Sequence, residues 1–196
     1  MVYDYHVVLG AIGAGLVFVG DTLYIWSIIK GSTKPHIFTW FIYVLIDGTV
    51  FAVQLLEGGG AGSWVLGTAT VANSIIMILA LFKGEKNIRP IDWACLVGAG
   101  FGIILWQVIE NPFGAVVILT VVNTIALIPT FRKAFVRPAE ESISVWLVDV
   151  IRFSLSIAAL EVRTLTTALF PVGVVLVNSL LVGIILLRRR QLGRIS

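Results

Sequence analysis

Charge is scarce in this chain: Asp, Glu, Lys and Arg together make up 13% of its 196 residues, about half of what a water-surrounded domain carries. Cysteine is nearly missing, since Cys95 stands alone in an apolar run; a disulfide framework is excluded. The two histidines, His6 and His36, are far apart and form no metal-ligand cluster, and no glycine-rich phosphate loop is present, which excludes a nucleotide-driven pump within this chain alone. A net charge of +3 without a concentrated basic patch does not imply nucleic acid, and nothing calls for a cofactor. What is abundant is hydrocarbon. Hydrophobic residues reach 58% and the mean hydropathy is +1.01, so the chain is expected to be an all-α integral membrane protein. At about 20 residues per crossing, the length accommodates at most about eight helices and leaves no separate soluble domain.

Loops marked by Gly, Pro and charge divide the sequence into seven spans, at roughly 5–29, 37–56, 62–82, 91–109, 113–134, 142–160 and 164–187. The first is too long for a signal-peptide core and has no basic segment before it, so it reads as a retained helix. Lys30 and Lys34 follow the first span, Lys83, Lys86 and Arg89 the third, Arg132, Lys133 and Arg137 the fifth, and Arg188, Arg189, Arg190 and Arg194 the seventh. The intervening loops hold Glu57, Glu110, Glu161 and one basic residue, Arg163. This asymmetry predicts an outside N-terminus and a cytoplasmic C-terminus, with Arg188 to Arg190 also meeting anionic membrane lipid. Trp64 and Trp106 near the outer ends, and Trp40, Trp93 and Trp146 near the inner ends, fit an interfacial aromatic belt. Short loops and the lack of a eukaryotic targeting signal favour a prokaryotic plasma membrane.

The first three spans repeat in the last three. Ala72-Asn73-Ser74-Ile75-Ile76 matches Val177-Asn178-Ser179-Leu180-Leu181, and the two runs lead to Lys83 and Arg188. Ile37-Phe38-Thr39-Trp40 aligns with Ile143-Ser144-Val145-Trp146, and Asp21-Thr22-Leu23 with Asn123-Thr124-Ile125. The offsets are 105, 106 and 102, read directly from these numbers. Three crossings would leave a second copy inverted unless another crossing intervenes, and the fourth span supplies it. Its Gly98-Ala99-Gly100-Phe101-Gly102 run allows close helix approach. The predicted architecture is 3+1+3: residues 1–86 as the first three-helix repeat, 87–111 as the linker helix, and 112–196 as the second repeat with a basic tail, the repeats being parallel about an axis along the membrane normal.

The 3+1+3 order, the paired Asn73 and Asn178, and the segment Pro129-Thr130-Phe131-Arg132-Lys133 followed by Ser142 resemble the SWEET and PQ-loop (MtN3-like) transporters over nearly the whole chain. The resemblance implies that Asn73 and Asn178 line a central substrate pocket. The Pro-Gln pair of that family is absent from both repeats: Pro129 is followed by Thr130, and the first copy has Ser27 or Tyr24 where the proline would fall.

Counted inward from the basic ends, Asp21, Asp47, Asn73, Asn123, Asp149, Arg152 and Asn178 lie at similar depth, about 12–18 Å in at 1.5 Å per residue. A charge near the bilayer centre costs at least about 2.5–3.5 kcal/mol unless it faces a partner or water, so these side chains are expected to face inward around a solute pocket. Asn73, Asn178, Asp47, Asp149 and Asn123 are the candidate substrate-binding residues; Asp21 and Arg152 are candidates for coupling or charge compensation. Interhelical hydrogen bonding is the plainer role for the two asparagines, and an i,i+3 ion pair for Asp149 and Arg152. Asp21 and Asp47 then lack a basic partner, so each must be neutralised by a proton, hydrated, or matched by a cation. His36 fits a solvated cap opening the second span, and Trp26 and Gln54 sit where a pathway would pass.

Transport of a small polar solute, with proton or cation coupling, is the function these features favour; the alternative is a seven-helix receptor or sensor that binds a ligand without flux. All five lysines lie at or beyond span ends, which leaves none for a buried Schiff base. No paired catalytic groups stand out, so no enzymatic activity is expected. Substrate identity and homo-oligomerisation are open at this level.

Overall fold

The computed structural model describes residues 4–84, 90–108, 110–141 and 143–192. Lys86, Arg89, Ser142 and Arg194 lie outside the described residues, as do the side chains of Pro129 and Lys133. Among the described residues, eight α-helices follow in order: α1 (Tyr5–Ile29), α2 (Ile37–Leu56), α3 (Trp64–Lys83), α4 (Pro90–Gln107), α5 (Pro112–Ala126), α6 (Ile128–Val136), α7 (Ile143–Ala159) and α8 (Leu165–Leu192). Short 3-10 turns at Gly60–Ser63 and Pro138–Glu140 precede α3 and α7. The protein is an all-α membrane protein.

Among the described residues, five segments are long and apolar enough to cross a bilayer: α1, α2, α3 with its leading turn, α5 continued into α6, and α8. α7, with 17 residues, rises only about 26 Å at 1.5 Å per residue, and its middle carries Asp149 and Arg152. The apolar part of α4 is likewise short, Trp93–Gln107. Both occupy predicted spans but fall below the usual length of about 20 residues. The predicted fifth span is two helices, because the chain turns at Leu127 just ahead of Pro129, which has no N–H to continue the helical ladder.

The helix ends follow from local chemistry. Asp4 caps α1 by accepting the His6 N–H at 3.0 Å, and Asn111 caps α5 by accepting from Gly114 at 2.8 Å, with Pro112 in the first turn where a missing N–H does no harm. α1 and α2 both close in Schellman motifs. Gly31 and Gly58 take φ of +78° and +77°, and the Ser32 and Gly59 amides donate back to Ser27 O and Gln54 O at 3.0 and 2.7 Å, a geometry that glycine adopts without steric cost. His36 occupies the N-cap position of α2 but makes no capping bond to backbone; its Nδ1 lies 3.2 Å from Thr39 Oγ1.

Packing falls into two matching groups. α3 packs on both α1 and α2, and α8 packs on both α5 and α7. The groups join closely where α1 meets α7; on the other side α4 packs on α5 and touches α2. Cβ atoms added at Gly98 and Gly102 would strike Val122 and Leu119, whereas one at Gly100 would meet nothing within 4 Å, so the α4–α5 contact uses a small-xxx-small face. The core runs from Val17 through Ile46, Val50, Leu66 and Leu119 to Phe170, all buried. Outward faces carry Phe18, Leu23, Phe82, Val97, Leu176 and Leu180, each more than half exposed, an apolar exterior that suits lipid.

Candidate functional site

Six helices, all but α4 and the short α6, enclose a cavity of about 490 Å³. Its wall contains all seven polar residues singled out above: Asp21 from α1, Asp47 from α2, Asn73 from α3, Asn123 from α5, Asp149 and Arg152 from α7, and Asn178 from α8. Helix periodicity explains the convergence, because each of these side chains lies on the stripe its helix turns inward and the lipid-facing stripes are apolar.

Within the wall one contact recurs. Asn73 Nδ2 donates to Asp47 Oδ2 at 2.9 Å, and Asn178 Nδ2 donates to Asp149 Oδ2 at 3.3 Å. Asp149 also pairs with Arg152, whose Nε lies 2.9 Å from Oδ1, although that N–H is not aligned for a hydrogen bond. Asp47 faces no such cation on its own helix, because Val50 stands one turn on where α7 has Arg152. Asp21 Oδ2 and Asn178 Oδ1 are buried without a hydrogen-bond partner.

A second recurrence lies at the basic-loop end. Lys83, closing α3, donates to Ile29 O at 2.9 Å, and Arg188, near the end of α8, donates to Phe135 O at 3.0 Å. Arg189 donates to Pro138 O and Glu141 O at 3.0 and 2.6 Å. These arginines, expected to meet lipid, therefore also fasten the preceding loop.

The cavity extends toward the basic loops, where Tyr24, Trp40, Ser144 and Trp146 line it. Trp40 and Trp146 thus depart from the predicted lipid belt: their rings are drawn into the cavity wall. Tyr24 and Tyr43 flank Trp40 at ring separations of 5.1 and 6.0 Å. The opposite end is closed. Phe153 and Phe170 stack edge-on at 6.2 Å, and beyond them the two acidic-end loops interlock. Ser156 Oγ donates to Gly62 O at 2.6 Å, Ala61 N donates to Glu161 Oε1 at 3.1 Å, and Val162 N donates to Gly58 O at 3.1 Å.

Two suggested pathway residues lie elsewhere. Trp26 is 55% exposed beneath the Lys30 ammonium, 5.0 Å from its ring centre, because its helix angle points it outward. Gln54 is fully buried and donates to Thr167 O at 2.6 Å. Pro171, inside α8, cannot supply the N–H that this carbonyl would otherwise receive, so Gln54 replaces it.

Another alignment of the two halves of the sequence competes with the Trp40/Trp146 match. Tyr43-Val44-Leu45-Ile46-Asp47-Gly48-Thr49-Val50-Phe51 lies over Val145-Trp146-Leu147-Val148-Asp149-Val150-Ile151-Arg152-Phe153 at an offset of 102, the offset that also relates Asp21 to Asn123. It differs from 106 by about one helical turn, and it pairs the two carboxylates that bond the asparagines. The signal was the shared Leu-x-Asp-x-x-x-Phe. The Asp–Asn separations are 26 and 29 residues, so three residues are gained between Asp149 and Asn178.

A second recess of about 640 Å³, largely apolar, runs along α1 and α3 past Phe18, Val71 and Ile75, and also touches Asp21. No protein-family model matches the chain, and no match was found among curated proteins or solved structures.

Proposed function

We propose that the protein is a carrier of a small polar solute, a divergent member of the SWEET and PQ-loop type, without a catalytic step of its own. In this reading residues 1–86 and 112–196 are parallel three-helix repeats, 87–111 is the linker, and the N-terminus faces outward across a prokaryotic plasma membrane with the basic loops in the cytoplasm. The observation that carries it is the recurrence of one hydrogen bond, Asn73 to Asp47 and Asn178 to Asp149, in the lining of a single cavity. A site built from equivalent parts of two repeats suits alternating access, since rocking one group against the other exposes the same residues to either side.

Interlocked acidic-end loops and a cavity reaching the basic end correspond to an inward-facing state. Asn73, Asn178, Asn123, Asp47 and Asp149 hold the solute; Asp21 and Arg152 balance its charge or that of a coupling ion. Reconstitution into liposomes tests the reading: a panel of sugars, vitamins, amino acids, nucleosides and amines should include a solute that crosses only protein-containing vesicles. Flux should fall at least tenfold in Asn73→Leu and Asn178→Leu. Saturable binding without flux would make the protein a receptor instead.

A further inference from the structure

The charge of the cavity wall is unbalanced. Asp21, Asp47 and Asp149 line it against one basic side chain, Arg152, and Arg152 is already paired with Asp149 at 2.9 Å. Two acceptors on the same wall lack a donor, beside one unmet donor, Arg152 Nε. Asn178 is 2% exposed, lines the cavity, and leaves Oδ1 without a partner while its amide N–H serves Asp149. Asp21 Oδ2, on the same wall, is a second acceptor without a donor. An unmet buried acceptor is unfavourable, and the group that best relieves several acceptors and a negative charge together is an ammonium, which has three donors and no acceptor. Toward the basic-loop end the same cavity presents the faces and edges of Tyr24, Trp40 and Tyr43, and aromatic faces attract cations. A metal ion fits less well: among the described residues, no group of three or more His, Cys, Asp or Glu is close enough to hold one.

We infer that the cavity selects a small primary amine in its protonated form, the ammonium being held between Asp21, Asp47 and Asn178 with the remainder of the molecule against the aromatic wall. This deepens the carrier reading and rests on it. A neutral polyol would bring no charge to a wall whose carboxylates outnumber its one basic side chain. A quaternary ammonium would satisfy the charge and the rings but none of the free oxygens.

The protein in detergent is titrated with butane-1,4-diamine and ethanolamine, their isosteric diols butane-1,4-diol and ethane-1,2-diol, and tetramethylammonium, following tryptophan fluorescence and thermal shift. The amines should bind at least tenfold tighter than the diols, with tetramethylammonium between them. Asp21→Asn should weaken the amines at least tenfold and leave the diols unchanged. Diols binding as tightly as amines would overturn the inference on the unmodified protein alone, and unchanged amine affinity in Asp21→Asn would overturn it too. Proteoliposome counterflow of labelled butane-1,4-diamine separates the two readings. Amine-selective binding without counterflow supports the cation site and removes the carrier; saturable diol flux without amine preference keeps the carrier and removes the cation site.

Discussion

Gln54 on α2 and Thr167 on α8 are joined by a 2.6 Å hydrogen bond from side-chain amide to backbone carbonyl. The bond exists because Pro171 cannot donate to that carbonyl, and it ties the two helix groups together at the closed end.

Gln54→Leu should therefore lower stability by about 1–3 kcal/mol, the usual consequence of leaving a buried acceptor unmet. In a Pro171→Ala background the backbone N–H returns, and the same exchange should cost less than half as much. Thermal unfolding of the four proteins checks this; equal losses in both backgrounds would show that the two residues act independently.

Glycines along α4 should respond by face. Gly98→Leu and Gly102→Leu press against Val122 and Leu119 and should each cost about 1–3 kcal/mol from overpacking. Gly100→Leu meets open space and should be neutral or slightly stabilising, because leucine is the better helix former by roughly 0.5–1 kcal/mol. Melting temperatures of the three variants decide it.

At the α7 ion pair, Asp149→Asn leaves Arg152 facing a wall with one carboxylate fewer, and Arg152→Met leaves Asp149 with only Asn178. Each single exchange should destabilise by more than the double exchange, because an unpaired charge in a low-dielectric setting is worse than none. The pair is partly exposed, with side chains 18% and 22% accessible, so about 1–2 kcal/mol per single exchange is expected after solvent screening. A double variant less stable than either single one would contradict this.

The apolar runs and their punctuation made the helices legible in the sequence, and the cost of burying charge in lipid placed Asp21, Asp47, Asn73, Asn123, Asp149, Arg152 and Asn178 on inward stripes, where they share one cavity. Other features depended on geometry that a linear pattern does not carry. Trp40 and Trp146 have the depth of belt residues, and only their angle around the helix sends them into the cavity. Gln54 has the depth of a pathway residue, but its role is fixed by Pro171, more than a hundred positions away. The break at Leu127 was foreshadowed by Pro129, whose missing N–H acts a turn before the proline itself. The one-turn ambiguity between offsets 102 and 106 arose because aromatic and aliphatic positions match nearly as well in either register; the Asp–Asn bonds distinguish them.

The central claim is that residues from both helix groups enclose one water-accessible cavity reaching the basic-loop end. In a Cys95→Ala background, single cysteines at Asn123 and Val148, which line the cavity, and at Val121 and Leu180, which face outward, are exposed to a membrane-impermeant thiol reagent applied from the basic-loop side. The account predicts labelling at Asn123→Cys and Val148→Cys at least tenfold faster than at Val121→Cys and Leu180→Cys. Equal rates at all four positions would contradict it.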